Sequence, residues 1–91
     1  MFFQKFVYTT HAEDKLKEPE SKKFGINKNL LEKTILNPIS TEIVGNQNRV
    51  TGNLDREHSL IVVYRKESDK ITLVITFFPA KKDRYEVKVL R

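Results

Sequence analysis

The first third of the chain changes from the alternating spacing of a strand to the spacing of helices. Residues 2–9 are rich in aromatic and β-branched side chains that alternate between two faces, which predicts a strand. Thr10 stands three residues before Glu13, the spacing of a capping box, and this pair predicts a helix that begins at His11. Pro19 cannot donate a backbone hydrogen bond, so the helix either ends before it or restarts with Pro19 in a new first turn.

A second helix is predicted between Gly25 and Pro38. Gly25 suits the left-handed residue that stops the preceding segment, and Asn27 suits the N-cap of the new helix. The stripe expected to face the core consists of Leu30, Leu31, Thr34 and Ile35. Asn37 and Pro38 close the helix because a proline disfavours the helical conformation in the residue before it.

Strands follow the helices. Their predicted ranges are residues 39–44, 49–54, 59–66 and 70–78, with a turn at residues 45–48. Gly52 weakens the second of these strands and indicates either a bulge or a close approach of backbone. The expected fold is therefore α+β, with two N-terminal helices packed on one face of a curled antiparallel sheet of four or five strands.

The hairpin formed by residues 59–66 and 70–78 divides its side chains between two faces. With a two-residue loop at Ser68 and Asp69, one apolar face holds Leu60, Val62, Tyr64, Leu73, Ile75 and Phe77. The other, mixed face holds Ile61, Val63, Arg65, Thr72, Val74, Thr76 and Phe78. Arg65 is then the cation of the mixed face beside Thr72, a placement that reverses if the loop is one residue longer. We expect helices to cover the apolar face and a ligand to meet the mixed face.

Length and composition fit a single domain over residues 1–91. A chain of 91 residues is long enough for one core and too short for two. The absence of cysteine excludes disulfides, thiolate catalysis and cysteine-ligated zinc. No apolar run approaches the roughly 18 to 20 residues that cross a bilayer, and the first residues lack the basic start of a signal peptide. A cytoplasmic protein is therefore expected, with no membrane partner.

The net positive charge of the chain favours anionic partners. The chain carries a net charge of +5 at pH 7 and has a pI near 9.6. Nucleic acid is the first class of partner that this charge favours, an acidic protein is the second, and a solvated basic surface without a partner is the alternative. Much of the excess lies in a basic C-terminal segment, residues 79–91, whose pattern fits either a last short strand or a helical turn.

Short motifs occur in a set order along the chain. They are His11-Ala12, Gly25-Ile26, Asn37-Pro38, the apolar strand at residues 60–64, Val74-Ile75-Thr76 and Arg84-Tyr85. Together they resemble a family of small domains grouped with the RelE, ParE and BrnT toxins, over residues 6–86. The resemblance implies the element order β-α-α-β-β-β. Lys15 and Phe24 differ from the arginines that such relatives often carry there.

The resemblance also implies cleavage of RNA without a metal, in which the ribose 2′-hydroxyl attacks its own phosphate. Such a reaction needs a base, cations for the charged phosphorane and an acid for the leaving oxygen. The candidate catalytic residues are His11, Arg65, Arg84 and Tyr85, and the candidate RNA-binding residues are Lys81, Lys82, Arg84 and Tyr85. We expect neither a metal site nor a cofactor, because the two histidines are not closely spaced and no glycine-rich phosphate loop occurs. A paired-carboxylate site is not expected either, because the acidic residues are dispersed among basic ones.

These residues also have plainer interpretations. His11, in the first turn of a helix, is commonly a capping or packing residue. His58 is interpreted as a turn residue or a hydrogen-bonded surface group. The basic segment can be a solvated terminus.

The sequence therefore predicts a toxin-like RNA-binding protein or metal-independent ribonuclease of a toxin–antitoxin system. The alternative is a non-catalytic module of the RelE and ParE kind, whose basic face binds an acidic protein partner. A third hypothesis is an inert housekeeping domain. The expected partners are RNA and an acidic antitoxin, and the expected state is a monomer or a homodimer.

Overall fold

Three short helices, one more than predicted, lie between the first two strands. The computed structural model describes residues 4–82, and its elements are β1 (Lys5–Tyr8), α1 (Thr10–Leu16), α2 (Pro19–Phe24), α3 (Lys28–Leu36), β2 (Ser40–Val44), β3 (Gln47–Asn53), β4 (His58–Lys66) and β5 (Ile71–Lys81). The α+β class and a sheet of five strands are confirmed. The count of two helices is wrong, whereas the alternative in which the helix restarts with Pro19 in a new first turn is confirmed.

The division occurs at Pro19. α1 ends at Leu16 and α2 begins with Pro19, whose fixed φ and missing N–H suit the first turn of a helix. The predicted cap at Thr10 is wrong by one residue, since Thr9 caps α1. Its hydroxyl accepts a hydrogen bond from the backbone N–H of Ala12 at 3.1 Å. Thr9 holds this place because its backbone is still extended, whereas Thr10 already has helical geometry.

The structure confirms the predicted stop at Gly25 and the predicted helix start at Asn27. Gly25 has a φ of +69° and stops α2 in the left-handed conformation. The side chain of Asn27 accepts a hydrogen bond from the backbone N–H of Leu30 at 2.9 Å and so caps α3. Leu31 and Thr34 are buried on the predicted stripe, so α3 packs against the sheet through the face that its sequence spacing indicated.

The sheet is mixed, which corrects the predicted antiparallel arrangement. Its strand order is β1-β5-β4-β3-β2, with β1 parallel to β5 and the other neighbours antiparallel. The helical layer carries the chain from one edge of the sheet to the other, so β1 pairs with the last strand. Only Gly45 and Asn46 form the β2–β3 turn, and Gln47 and Asn48, predicted as turn residues, belong to β3.

The β4–β5 hairpin differs from the predicted register. Residues 67–70 form a longer connection than the predicted two-residue loop, and Arg65 consequently pairs with Leu73 instead of lying beside Thr72. Thr72 and Val74 are buried, and Val74 belongs to the core beneath the helices. Their predicted placement on the mixed face is therefore wrong.

A β-bulge in β5 shifts the register by one more residue and returns Phe77 to the face on which it was predicted. The register shifts between Val63 and Tyr64, where Ile75 has no direct partner on β4. After this shift Phe77 pairs with Val62 and is buried in the core, as predicted. Arg65 keeps its predicted face because the alternation along β4 is not interrupted.

The helices pack on one face of the sheet. The core cluster consists of Ala12, Ile26 and Leu31 from the helical layer and Val50, Leu60, Val62, Val74 and Phe77 from the sheet. The central row of the second face is buried as well and consists of Ser59, Ile61, Val63 and Ala80. The mixed face is thus not an open surface along its middle. In residues 4–82, no helix has the length and apolar character needed to span a membrane.

Candidate functional site

His11 and Arg65, two of the predicted catalytic residues, lie beside β5 without contacting each other. Nε2 of the exposed His11 is 3.2 Å from Oγ1 of Thr76. Arg65 pairs with Leu73 across the hairpin, and its Nε donates a hydrogen bond to Glu67 at 2.7 Å. Each side chain is therefore engaged with a neighbouring residue and not with the other predicted site residue.

The predicted RNA-binding lysines lie at the far end of β5. Lys81 is the last residue of the strand, and Nζ of Lys82 donates a hydrogen bond to the side chain of Asn53 at 2.6 Å. Six residues of strand separate Lys82 from Thr76, the neighbour of His11, which is about 20 Å along the sheet.

The predicted site residues are consequently spread along the whole of β5. Arg65, opposite Leu73, is separated from Lys82 by nine residues of strand, about 30 Å. Arg84 and Tyr85, which complete both predicted sets, lie outside the described residues. The structure therefore does not assemble His11, Arg65, Lys81 and Lys82 into one site.

Polar side chains do meet at the turn between β3 and β4. The backbone N–H groups of Leu54 and Asp55 both donate to the carbonyl oxygen of His58 at 3.1 Å, which closes the turn. A side-chain oxygen of Asp55 accepts hydrogen bonds from the backbone N–H groups of Glu57 and His58 at 2.8 Å each. Aspartate is favoured at the start of turns for this reason. Nδ1 of His58 lies 3.0 Å from the same oxygen, so the turn fixes an aspartate–histidine pair.

The pairing determines which ring nitrogen of His58 can accept a proton. The backbone N–H of Glu57, followed by the ring of His58, holds the pKa of Asp55 below its ordinary value. Asp55 is therefore a carboxylate at neutral pH and can only accept hydrogen bonds, so Nδ1 carries the proton of the neutral imidazole. Nε2 is then the proton acceptor, and no side chain of residues 4–82 makes a hydrogen bond to it.

Cations from separate parts of the chain lie next to this pair across the sheet or near the ring that packs against it. Lys81 is the cross-strand partner of His58, and Lys82 follows it. The ring of Phe24, at the end of α2, packs edge-on against the His58 ring with the centroids 4.8 Å apart. Nζ of Lys23 lies 5.6 Å from the centroid of the Phe24 ring. We name this group the basic end of the sheet; it consists of Lys23, Asp55, Arg56, His58, Lys81 and Lys82.

The basic end combines a proton acceptor with groups that attract anions. The His58 side chain is 23% exposed, so a ligand can reach it, and Arg56 and Lys81 are exposed beside it. Glu57 opposes these cations, which leaves a modest local excess of positive charge. The described part of the chain contains no group of three or more histidine, aspartate or glutamate side chains arranged to hold a metal ion. The arrangement suits an anionic ligand that carries a proton to be transferred.

A second polar cluster joins β1 to the helices. The hydroxyl of Tyr8 donates a hydrogen bond to Glu32, and Nζ of Lys28 lies 4.7 Å from the centroid of the Tyr8 ring. Lys28 also forms an ion pair with Glu13 at 3.0 Å. Burial, and then the hydrogen bond to Glu32, raise the pKa of Tyr8. These groups bind one another and hold α1 and α3 against β1.

Only part of the basic end could be predicted from the sequence. His58 was interpreted as a hydrogen-bonded turn residue, but its partner Asp55 was missed, although an aspartate three residues before a histidine between two strands is a visible signal. The approach of Phe24 and Lys23 has no signal in the sequence, because it depends on how α2 crosses the sheet. No protein-family model, curated protein or solved structure significantly matches the chain.

Proposed function

We propose that this protein binds RNA at the basic end of the sheet and cleaves it without a metal ion, in the manner of a RelE-like toxin. The observation that carries the proposal is the Asp55–His58 pair, in which Nε2 of a partly exposed imidazole is available beside cations. The resemblance of the sequence motifs to those of the RelE, ParE and BrnT group supports the same proposal. The excess of positive charge over the whole chain supports a polyanionic ligand.

His58 acts as the general base in the proposed reaction. Nε2 takes the proton of the ribose 2′-hydroxyl, and Asp55 stabilises the resulting imidazolium through Nδ1. The 2′-oxygen forms a bond to phosphorus while the bond from phosphorus to the 5′-oxygen breaks. The imidazolium returns the proton to that 5′-oxygen, so the products are a 2′,3′-cyclic phosphate and a 5′-hydroxyl end. Lys81, the cross-strand partner of His58, stabilises the additional negative charge of the phosphorane.

Cleavage of a labelled single-stranded RNA in the presence of EDTA tests this function. Because His58 supplies the base, we expect the wild-type chain to generate cyclic phosphate ends, and we expect His58→Ala to reduce the rate by about 10²-fold or more. Asp55→Asn should reduce the rate by a smaller factor, because the amide orients the ring without carrying the compensating charge. An RNA with a single 2′-deoxy ribose should bind normally and resist cleavage at that position.

The chain offers a matched control, since it contains one other histidine. His11→Ala removes an exposed imidazole that contacts Thr76, and we expect it to leave cleavage unchanged. Thermal unfolding of each variant separates a catalytic defect from a folding defect. Equal cleavage by wild type and by folded His58→Ala would refute the assignment. If only His11→Ala lost cleavage, the general base would instead be His11, the residue predicted from the sequence.

RNA affinity provides an independent test of the binding surface. Phosphate contacts release counterions, so the logarithm of the affinity should fall with the logarithm of the salt concentration, by about 0.7 per neutralised phosphate for a single strand. Lys81→Gln should lower the affinity and reduce this slope. Wild-type affinity that does not change with salt would contradict phosphate binding and favour the alternative, a module that binds an acidic protein.

A further inference from the structure

The strand β2 forms one edge of the sheet and is exposed along its whole length. All five of its residues, Ser40 to Val44, are exposed, and among the described residues only β3 pairs with it. A two-residue turn with Gly45 at a φ of +65° joins β2 to β3. Because this glycine occupies the first central position of the turn, the pairing register of the edge is firmly fixed.

The register shows which backbone groups of β2 point away from the sheet. Val44 and Gln47 flank the two-residue turn and form a hydrogen-bonded pair. Since hydrogen-bonded and non-hydrogen-bonded pairs alternate along antiparallel strands, Glu42 also bonds inward to β3. Thr41 and Ile43 therefore direct their N–H and C=O groups outward, where another strand can pair with them.

This edge lacks the features that usually prevent strand-to-strand association. β2 contains no lysine and no proline, and its one charged residue, Glu42, lies 3.6 Å from Arg49 on β3. Residues 35–48 include no other charged side chain, although charged residues make up 32% of the chain. The opposite edge strand, β1, carries Lys5 at its start. The β2 edge is thus a nearly uncharged part of a molecule with a net charge of +5.

Apolar side chains are exposed along the same edge. The exposed fractions are 60% for Leu36, 66% for Ile39, 75% for Ile43 and 45% for Val44. Ile43 and Val44 belong to β2, and Leu36 and Ile39 precede it in the chain, so exposed apolar side chains accompany the unpaired strand edge. A strand that pairs with β2 would cover part of Ile43 and Val44, the two of these residues that belong to β2.

We propose that the occupant of the β2 edge is a second copy of this chain, bound antiparallel through β2 so that two five-stranded sheets become one continuous sheet. An acidic partner would find more complementary charge at the basic end of the sheet than at this edge. A nearly neutral apolar edge is best matched by another nearly neutral apolar edge, which the chain itself supplies. The proposal does not depend on the proposed RNA cleavage.

Charge favours one register for this dimer. When the two-fold axis passes through Ile43, the isoleucines of the two copies face each other, and Glu42 of each copy lies opposite Val44 of the other. Centring the axis on Glu42 would place two carboxylates directly opposite each other, which is unfavourable. In the Ile43 register, the two Ile43 residues form the central hydrogen-bonded pair through their outward N–H and C=O groups, and Thr41 of each copy lies opposite Gly45 of the other.

The dimer also keeps the two basic ends apart. His58 begins β4, two strands away from the β2 edge in each copy. Five strand spacings therefore separate the two β4 strands, about 24 Å, which is roughly three times the Debye length at physiological ionic strength. Repulsion between the cationic sites consequently has little effect on the association, and both sites stay accessible to RNA.

Analytical ultracentrifugation of the full chain tests the dimer. The average mass should rise from monomer to dimer with concentration. Ile43→Lys should raise the dissociation constant by about tenfold or more, because it places a charge at the centre of the interface. Thr41→Pro should act similarly, since it removes an outward N–H without breaking a bond to β3. Val7→Lys, a matched change on the opposite edge strand, should leave the dissociation constant unchanged.

Cysteine cross-linking tests the register. The chain contains no cysteine, so Ile43→Cys introduces a single thiol, and paired Cα atoms about 5.5 Å apart permit a disulfide. Ser40→Cys is the control, because residues 40 of the two copies would be about 20 Å apart in the Ile43 register. Monomer mass up to about 1 mM, an unchanged dissociation constant for folded Ile43→Lys, or equal cross-linking at positions 40 and 43 would each overturn the proposal.

Discussion

Replacing Gly52 by alanine should force α3 away from the sheet. Gly52 lies in β3 directly beneath α3, and a Cβ atom at this position would stand 2.7 Å from Cγ2 and 3.0 Å from Oγ1 of Thr34. Thr34 cannot easily move, because it is buried and its hydroxyl donates a hydrogen bond to the carbonyl oxygen of Leu30 at 2.8 Å. The substitution therefore overpacks the helix–sheet contact.

The expected cost follows from two opposing effects. Insertion of a methyl group into a close-packed contact destabilises by about 1–3 kcal/mol. Restriction of the unfolded chain when alanine replaces glycine offsets about 0.4–1 kcal/mol of that cost. We therefore expect Gly52→Ala to lower the free energy of unfolding by about 1–2 kcal/mol. Urea denaturation at fixed pH measures this change through the transition midpoint, with an unaltered m-value.

A double-mutant cycle identifies the contact responsible. Thr34→Ala removes both atoms that the new methyl group would meet first and leaves Cβ of Thr34 at 3.3 Å. The double variant should therefore regain about 1 kcal/mol or more relative to the sum of the single changes. Gly25→Ala is the matched control, since it creates left-handed strain with no atom within 4 Å and should show no coupling to Thr34→Ala. Wild-type stability of Gly52→Ala, or additive effects, would refute the close approach.

Two further predictions concern the cap of α1 and the titration of β1. Thr9→Val should lower the free energy of unfolding by about 1–2 kcal/mol, because it removes both the cap and the hydrogen bond that the Thr9 hydroxyl donates to the carbonyl oxygen of Ile75 at 2.9 Å. Thr10→Val should cost less than about 0.5 kcal/mol, and equal values in urea denaturation would contradict the assignment of Thr9. The raised pKa of Tyr8 stabilises the fold fully below the ordinary tyrosine value of about 10, and this contribution decreases as the pH rises above it. Tyr8→Phe should therefore show a shallower loss of stability above about pH 10, and identical pH dependence would count against a buried, protonated Tyr8.

Local features of the fold could be predicted from the sequence because they depend on neighbours along the chain. The stripe of α3, its cap at Asn27 and the stop at Gly25 follow from helical periodicity and from backbone preferences of single residues. Gly52 predicted either a bulge or a close approach of backbone, and the structure shows instead a close approach of the Thr34 side chain from α3. The exchange of Thr10 for Thr9 as the cap shows the limit of such predictions, since adjacent threonines offer the same chemistry.

Long-range pairing was not predictable in the same way. Nothing in the sequence of β1 selects β5 as its partner, because a strand pairs equally well with any neighbour of suitable polarity. The register of β4 against β5 depended on a loop of uncertain length and on one bulge, and an error of one residue changes the face of every side chain.

The candidate site likewise has features that depend on local sequence and features that depend on the tertiary structure. The sequence by itself determined the net positive charge, the helices and strands and the turn chemistry that joins Asp55 to His58, because these depend on composition and on spacing over a few residues. Only the tertiary structure decided that Lys81 and Phe24 meet at His58 while His11 and Arg65 do not. Residues far apart in the chain become neighbours through the sheet register and the path of the helices, which are set by packing of the whole core.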